Sequence, residues 1–213
     1  AGYLPDGTGS HYVDGVVTQN DNEVLFLTGT YRPEKEDGHI EAHATVNRLP
    51  LSTTNGFIPD GMAALLGYAS GNINITGSTA SPVISGYLTT DSMHLTSDMY
   101  NINLRFPNDT ISIRNNQLKM DHIEAYAAGK SPLVIDGTMD LTDLSHIQTN
   151  LGIKASNYEL INAPRERGKL AYGKVFVDIN AMLRGVLDDL KIRGRLTVLG
   201  NTDVTYVLKD SPI

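Results

Sequence analysis

The 213-residue chain carries 24 acidic and 17 basic residues, a net charge of −7, with no cysteine and no tryptophan. The acidic balance argues against a general nucleic-acid binder, which needs a basic surface to displace counterions, and the missing cysteines exclude disulfide and thiolate chemistry without excluding an oxidising compartment. With 40 % hydrophobic residues, burial must rely on Ile, Leu, Val, Met and Tyr, and no stretch approaches the roughly 18 apolar residues that cross a bilayer as a helix.

Strand patterns recur along the whole chain, bounded by Gly, Asn, Asp and Pro, which is the spacing of an all-β meander rather than of alternating strands and helices. The alternation predicts strands near Tyr12 to Thr18, Glu23 to Thr30 and His39 to Asn47. It continues near Gly71 to Thr76, Val83 to Thr89, Met93 to Thr96, Tyr100 to Phe106, Thr110 to Arg114, Gln117 to Tyr126 and Leu133 to Leu141. The last set lies near Gly152 to Leu160, Lys174 to Asn180, Leu190 to Leu199 and Val204 to Lys209. Asn20-Asp-Asn22, Glu36-Asp-Gly38, Pro107-Asn-Asp109 and Asn115-Asn116 have the chemistry of tight reversals.

One segment departs from this pattern. Phe57 to Gly67 places Pro59 in a first helical turn, Asp60 beside it and Gly67 at the stop, which predicts a short helix over about 58–66 covering an apolar end or edge of the sheet. Leu141 to Thr149 reads as a loop or a single helical turn.

A glycine pattern occurs twice. Gly71-Asn-Ile-Asn-Ile-Thr-Gly77 is followed, after eight intervening residues, by Gly86, and Gly173-Lys-Val-Phe-Val-Asp-Ile leads to Gly185 and, after the same interval, Gly194, so that Gly185 and Gly194 lie about 108 residues beyond Gly77 and Gly86. This weak internal repeat over 71–90 and 173–200 suggests stacked units burying one shared face. The chain begins and stops inside strand-like sequence, so 1–213 is expected to be a single β-repeat segment of a larger protein.

Side chains two apart on a strand share a face. One face then collects Ile73, Ile75, Ile84, Leu88, Leu95, Ile102, Leu104, Ile111, Ile113, Leu133, Ile135, Met139, Val175, Val177, Ile179, Ile192, Leu196 and Val198, with Met93, Leu118, Met120 and Val204 beside them. The other face carries Asn72, Asn74, Asn103, Arg105, Ser112, Asp136, Thr138, Asp178, Lys191, Arg193 and Arg195. At about 25 cal/mol per Å² the apolar face must be covered. A closed sandwich or barrel binding protein or glycan through its loops would cover it, and so would a curled trough that holds a long apolar ligand. Periodicity does not separate the two.

The run Asn157-Tyr-Glu-Leu-Ile-Asn-Ala-Pro164, then Tyr172 to Asn180, Arg184-Gly185, Ile192-Arg-Gly194, Leu196 to Tyr206 and the closing Asp210-Ser-Pro-Ile resemble the TamB (translocation and assembly module subunit) family in its Bacteroidota-like form. Leu49-Pro-Leu51 and the stretch Gly71 to Leu88 resemble the repeat of the wider AsmA-like group. The resemblance covers about half the chain well and the first 47 residues only in style. It implies a periplasmic protein anchored in the inner membrane, an all-β, elongated, curled antiparallel-rich sheet (a β-taco with a U-shaped groove), and phospholipid acyl chains held on the apolar residues named above. It also implies a role in moving phospholipid towards the outer membrane or in supporting outer-membrane protein assembly, with a barrel partner engaged through regions outside this segment.

Other motifs point elsewhere only weakly. His39-Ile-Glu-Ala-His43 imitates a zinc motif, but two histidines four apart on a strand lie roughly 13 Å apart, beyond a shared metal. Asp136, Asp140 and Asp143 are too widely spaced for a compact ion site. No nucleophile elbow or phosphate loop is present, so no enzyme activity, metal or cofactor is expected. Lys191, Arg193 and Arg195, with Arg184, Arg165, Arg167 and Lys169, read as a solvated outer face or, functionally, as an attraction for anionic head groups or an acidic partner.

Overall fold

A computed structural model describes residues 2–5, 9–33, 38–57, 63–97, 102–165 and 171–206. Its strands are β1 (Gly2–Pro5), β2 (His11–Gln19), β3 (Asn22–Arg32), β4 (His39–Pro50), β5 (Ala64–Ser78), β6 (Pro82–Ser97) and β7 (Ile102–Arg105), followed by β8 (Thr110–Arg114), β9 (Gln117–Ala125), β10 (Leu133–Asp140), β11 (Gln148–Ala163), β12 (Ala171–Val186), β13 (Asp189–Val198) and β14 (Asp203–Tyr206). All belong to one 14-stranded sheet in which each strand runs antiparallel to its neighbours. The order is sequential, with two interruptions. Strands β7 and β8 share one slot beside β6, and β13 and β14 share the slot beside β12. The path runs from β1 to β13 without closing into a barrel. The all-β fold expected from the strand pattern is observed, and the antiparallel sheet is not closed, which agrees with the curled sheet that the resemblance implies and not with a barrel.

Several local expectations change. Ala64, Leu65 and Leu66 are not helical but open β5, where they pair with Thr96, Leu95 and His94. The only helical element among the described residues is a 3-10 turn over Leu51–Phe57, tied to β5 by the Asn55 side chain, which accepts from the Leu65 N–H at 2.8 Å. Residues 58–62 of the expected helix lie outside the described ones. Pro107 to Asp109 is a bend inside an interrupted strand rather than a reversal, since β7 and β8 both run antiparallel to β6. The stretch from Leu141 to Ile147 is a loop, and β11 starts at Gln148. Glu36-Asp-Gly38 falls largely outside the described residues.

Among the described residues, eight non-glycine residues have positive φ, and they fall into two groups of four. Asn20-Asp21 and Asn115-Asn116 form the two-residue hairpin turns joining β2 to β3 and β8 to β9, where both central residues need φ above zero. Arg48, Ser92, His122 and Asn157 sit at β-bulges, where the register shifts. A bulge adds one residue to one strand, bends it and flips its parity. This is how even-numbered Leu118 and Met120 and odd-numbered Ile123 and Ala125 come to share a face.

Two apolar clusters overlap. Phe106, Ile123 and Ala125 pack with Met93, Leu95, Leu104, Ile111, Met120, Leu133 and Ile135; Ala155, Tyr158 and Val177 pack with Leu104, Ala127, Leu133, Val175 and Ile179. Leu104 touches both. In a flat sheet β7 and β11 would be separated by β9 and β10, about 14 Å apart at the usual strand spacing, because Arg105 of β7 bridges to Tyr126 at the end of β9. Side-chain contact from Leu104 to the Ala155 cluster therefore requires the sheet to curl towards its apolar face.

Glycines assist that curl. Gly15, Gly29, Gly71, Gly86, Gly137 and Gly194 all sit within strands on the apolar face by register. Of the repeated glycines Gly71, Gly86 and Gly194 lie mid-strand, whereas Gly77, Gly173 and Gly185 lie within two residues of a strand end. At Gly86, with φ of 150°, a Cβ would run into the Asn72 carbonyl oxygen, and at Gly137, with φ of 142°, into that of Asn150. Glycine inside a strand marks such close backbone approach and bending.

The result is an open body. The chain exposes 13978 Å² of surface, whereas a compact monomer of 23.1 kDa would expose about 9,700 Å².

Candidate functional site

The register assembles the apolar face row by row. One row runs directly across eleven strands: Gly15, Leu27, Ala44, Ile73, Gly86, Ile113, Leu118, Met139, Thr149, Gly185 and Leu190. A parallel row at the first half joins Val13, Gly29, Ala42, Ile75 and Ile84. At the second half Gly137, Leu151, Leu183 and Ile192 continue beside it. No Asp, Glu, Lys or Arg occupies these rows. The single hydroxyl, Thr149, is buried, and its Oγ1 has no hydrogen-bond partner.

The residues singled out by parity lie on this common face, but not in equal environments. Ile113 and Val177 are fully enclosed, at 5 % and 0 % exposure. They pack the wall rather than line an open surface. Ile73, Ile75, Ile84, Leu88, Leu95, Leu104, Ile111, Leu133, Ile135, Met139, Val175 and Ile179 are half-buried. Ile192, Leu196 and Val198 on β13 are 69 %, 56 % and 59 % exposed. The backbone of Ile102 pairs with Ser97; its side chain lies outside the described residues.

Phe106, Ile123, Ala125, Ala155, Tyr158 and Val177 close the part nearest Leu104, while in the row from Gly15 to Leu190 Ile113 and Thr149 are buried and the other nine residues are half open. Sequence parity misses this filling and also misses the first strands: Leu25, Leu27, Ile40, Ala42, Ala44 and Val46 extend the same face across β3 and β4. The alternation Ile40-Glu-Ala-His-Ala-Thr-Val46 carries that signal.

The opposite face is a polar ladder. Asn74 Oδ1 meets His43 Nδ1 at 2.7 Å, Thr45 donates to Asn72 at 3.1 Å, and Asn72 donates to the Tyr87 hydroxyl at 3.0 Å. A shallow depression of about 420 Å³ between Tyr12, Thr30, Glu41, His43 and Thr76 opens on this side. His39 contacts Glu41 at 3.2 Å on its own strand, away from the His43–Asn74 contact.

The aspartates have local duties. Asp136 accepts from the His122 N–H, Asp140 from the backbone and hydroxyl of Thr142, and Asp143 from the Ser145 N–H and His146. The Thr142 hydroxyl holds the Asp140 carboxyl below its usual range, and the Ser145 N–H does the same for Asp143. Among the described residues no three His, Asp or Glu side chains converge as metal ligands, and no helix is long and apolar enough to cross a membrane.

No protein-family model, curated protein or solved structure matches the chain.

Proposed function

We propose that the chain is a lipid-conducting groove segment of a TamB-like protein, working in the periplasm of a longer, inner-membrane-anchored protein that moves phospholipid between the two membranes or supports outer-membrane protein assembly. The observation that carries this reading is the uncharged apolar row from Gly15 to Leu190, continuous across eleven strands and only half covered. An acyl chain laid along it removes its own surface and that of Leu27, Ile73, Leu118 and Met139 from water together, at about 0.8 kcal/mol per CH₂.

The lack of charge matters for movement. A lipid on a smooth aliphatic lining meets no strong point site at which to stall, so sliding costs little. The glycines keep the lining concave, and the polar ladder on the far side keeps the outer surface wet. A structural or adhesive module with a sealed core has no evident use for the excess exposed surface or the open flank at β13.

Mass spectrometry of the purified chain, first stripped of lipid and then equilibrated with phospholipid, tests the reading. Retention of intact phospholipid by the wild type, and its loss in Ile73→Asp, supports the groove. Absence of retained lipid in the wild type overturns the groove in favour of a structural or adhesive module.

A further inference from the structure

The edge strand β13 joins the apolar row to a cluster of cations. Its odd positions Lys191, Arg193 and Arg195 point to the polar face, and its even positions Ile192, Leu196 and Val198 to the apolar one, with every one of these residues exposed. Lys191 pairs directly with Arg184 on β12, and Arg195 is in register with Asn180, which is itself opposite Lys154 on β11. Like charges directly opposite each other on a sheet are unfavourable, and here they are not neutralised. Arg184 donates only to Asn150, at 3.0 Å. None of Lys154, Lys191, Arg193 and Arg195 makes an ion pair with a described residue. Asp178 shares a 260 Å³ depression with Lys154 and Arg195 and its Oδ1 accepts from the Asn157 N–H, and Asp189 lies beside Lys191 on β13. Lys154, Arg184, Lys191, Arg193 and Arg195 outnumber these two carboxylates, so the edge carries a local excess of positive charge in a chain of net charge −7 and favours an anionic ligand.

We infer that β13 is the loading edge of the groove and seats the head group of an anionic phospholipid, with the phosphate on Arg193 and Arg195 and the acyl chains on Leu196 and Ile192. This rests on the groove reading above. In the interior of the sheet the two faces are separated by backbone, and a head group cannot reach cations behind its own tails. At β13 there is no further strand on the outer side among the described residues, so a single amphiphile can bend round the edge and satisfy both faces. Arginine suits this place because its fork binds phosphate oxygens in pairs and its long stem lets the charge reach from the polar face to the rim.

The test uses the full chain and fluorescent phosphatidylglycerol or phosphatidylcholine with identical acyl chains, in competition for uptake. The wild type is expected to prefer the anionic lipid by about fivefold per engaged arginine. R193Q/R195Q should reduce phosphatidylglycerol uptake more than phosphatidylcholine uptake, because both lipids present a phosphate to the arginines but only the former carries net negative charge, so that the preference disappears and the effect mimics that of high salt on the wild type. R114Q/K119Q, which removes two exposed cations from β8 and β9, should change neither. Equal uptake of both lipids by the wild type, equal loss of both in R193Q/R195Q, or equal loss in R114Q/K119Q overturns the head-group seat while leaving the groove intact. Sedimentation with phosphatidylglycerol vesicles without lipid uptake also overturns it, in favour of adsorption to a surface. Failure to take up either lipid removes the groove reading and this one with it.

Discussion

The backbone N–H of His122 donates to Asp136 Oδ1 at 2.7 Å across the β9–β10 ladder, and the N–H of Asn157 donates to Asp178 Oδ1 at 2.8 Å across β11–β12 in the same way. Arg48 repeats the arrangement with Ser70 Oγ at 2.9 Å. In each case the donor is the left-handed residue of a bulge and the acceptor is the single residue facing it. The bulge leaves one N–H without a ladder partner, and the opposing short side chain supplies it. Ser92 uses Asn108 instead, at 3.1 Å, from the bend between β7 and β8.

Removing such a clasp should loosen the bend without touching the apolar face. Asp136→Ala and Asp178→Ala are each expected to cost about 1–2 kcal/mol, the low end for a hydrogen bond to a charged group because solvent competes at these exposed sites. Asp→Asn, which keeps an acceptor oxygen, should cost less. Chemical denaturation of the four variants checks this; equal losses for Ala and Asn would show that the carboxylate acts through something other than the bulge N–H.

Glycines on the apolar face should differ sharply according to what faces them. Gly86→Ala places a Cβ against the Asn72 carbonyl at a φ of 150°, and should cost about 1–3 kcal/mol. Gly15→Ala meets no atom within 4 Å, and should change stability by less than about 0.5 kcal/mol. Thermal melts of the two variants decide whether close approach or composition explains the glycines.

Asp91 links stability to acid. The Ser92 hydroxyl first, and then the Arg48 guanidinium at 2.7 Å, hold its carboxyl below the ordinary aspartate value. A folded-state value below the unfolded one gives stabilisation that is present above the unfolded value, about 3.9, and is lost as pH falls through the folded one. The wild type should therefore lose thermal stability on acidification in this window more steeply than Asp91→Asn. Parallel curves for the two proteins below pH 4 would remove Asp91 from the acid response.

Packing and lining separate at Val177 and Ile192. Val177 is enclosed against Tyr158 and Ala155, so Val177→Ala should cost about 2 kcal/mol or more. Ile192, at 69 % exposure, should tolerate alanine within about 0.5 kcal/mol while lipid uptake falls. A large stability loss at Ile192 would mean that the edge is covered in solution.

Much of this architecture is legible in the sequence because strand parity is local. Ile73 and Ile75, or Val175 and Val177, announce their common face by spacing alone, and Thr110–Arg114 has the expected bounds. Bulges are less legible. An extra residue at His122 or Asn157 is chemically ordinary, and only the register shows that it transfers the following residues to the other parity. The helix expected at 58–66 rests on Ala63-Ala-Leu-Leu66, good helix formers, yet Leu65 pairs with Leu95 and strand pairing overrides the local preference. Gly67, which suggests a helix stop, likewise lies inside β5. The filled end of the trough depends on Leu104 meeting Ala155 and Tyr158, a contact set by curvature that no local pattern encodes.

The most direct measurement places a photoreactive residue at Ile75 or at its chain neighbour Asn74, which differ only in the face they occupy, and illuminates each protein in the presence of phospholipid. An apolar groove on this face gives acyl-chain adducts at 75 and none at 74. Adducts in equal yield at both positions, or at neither, would contradict it.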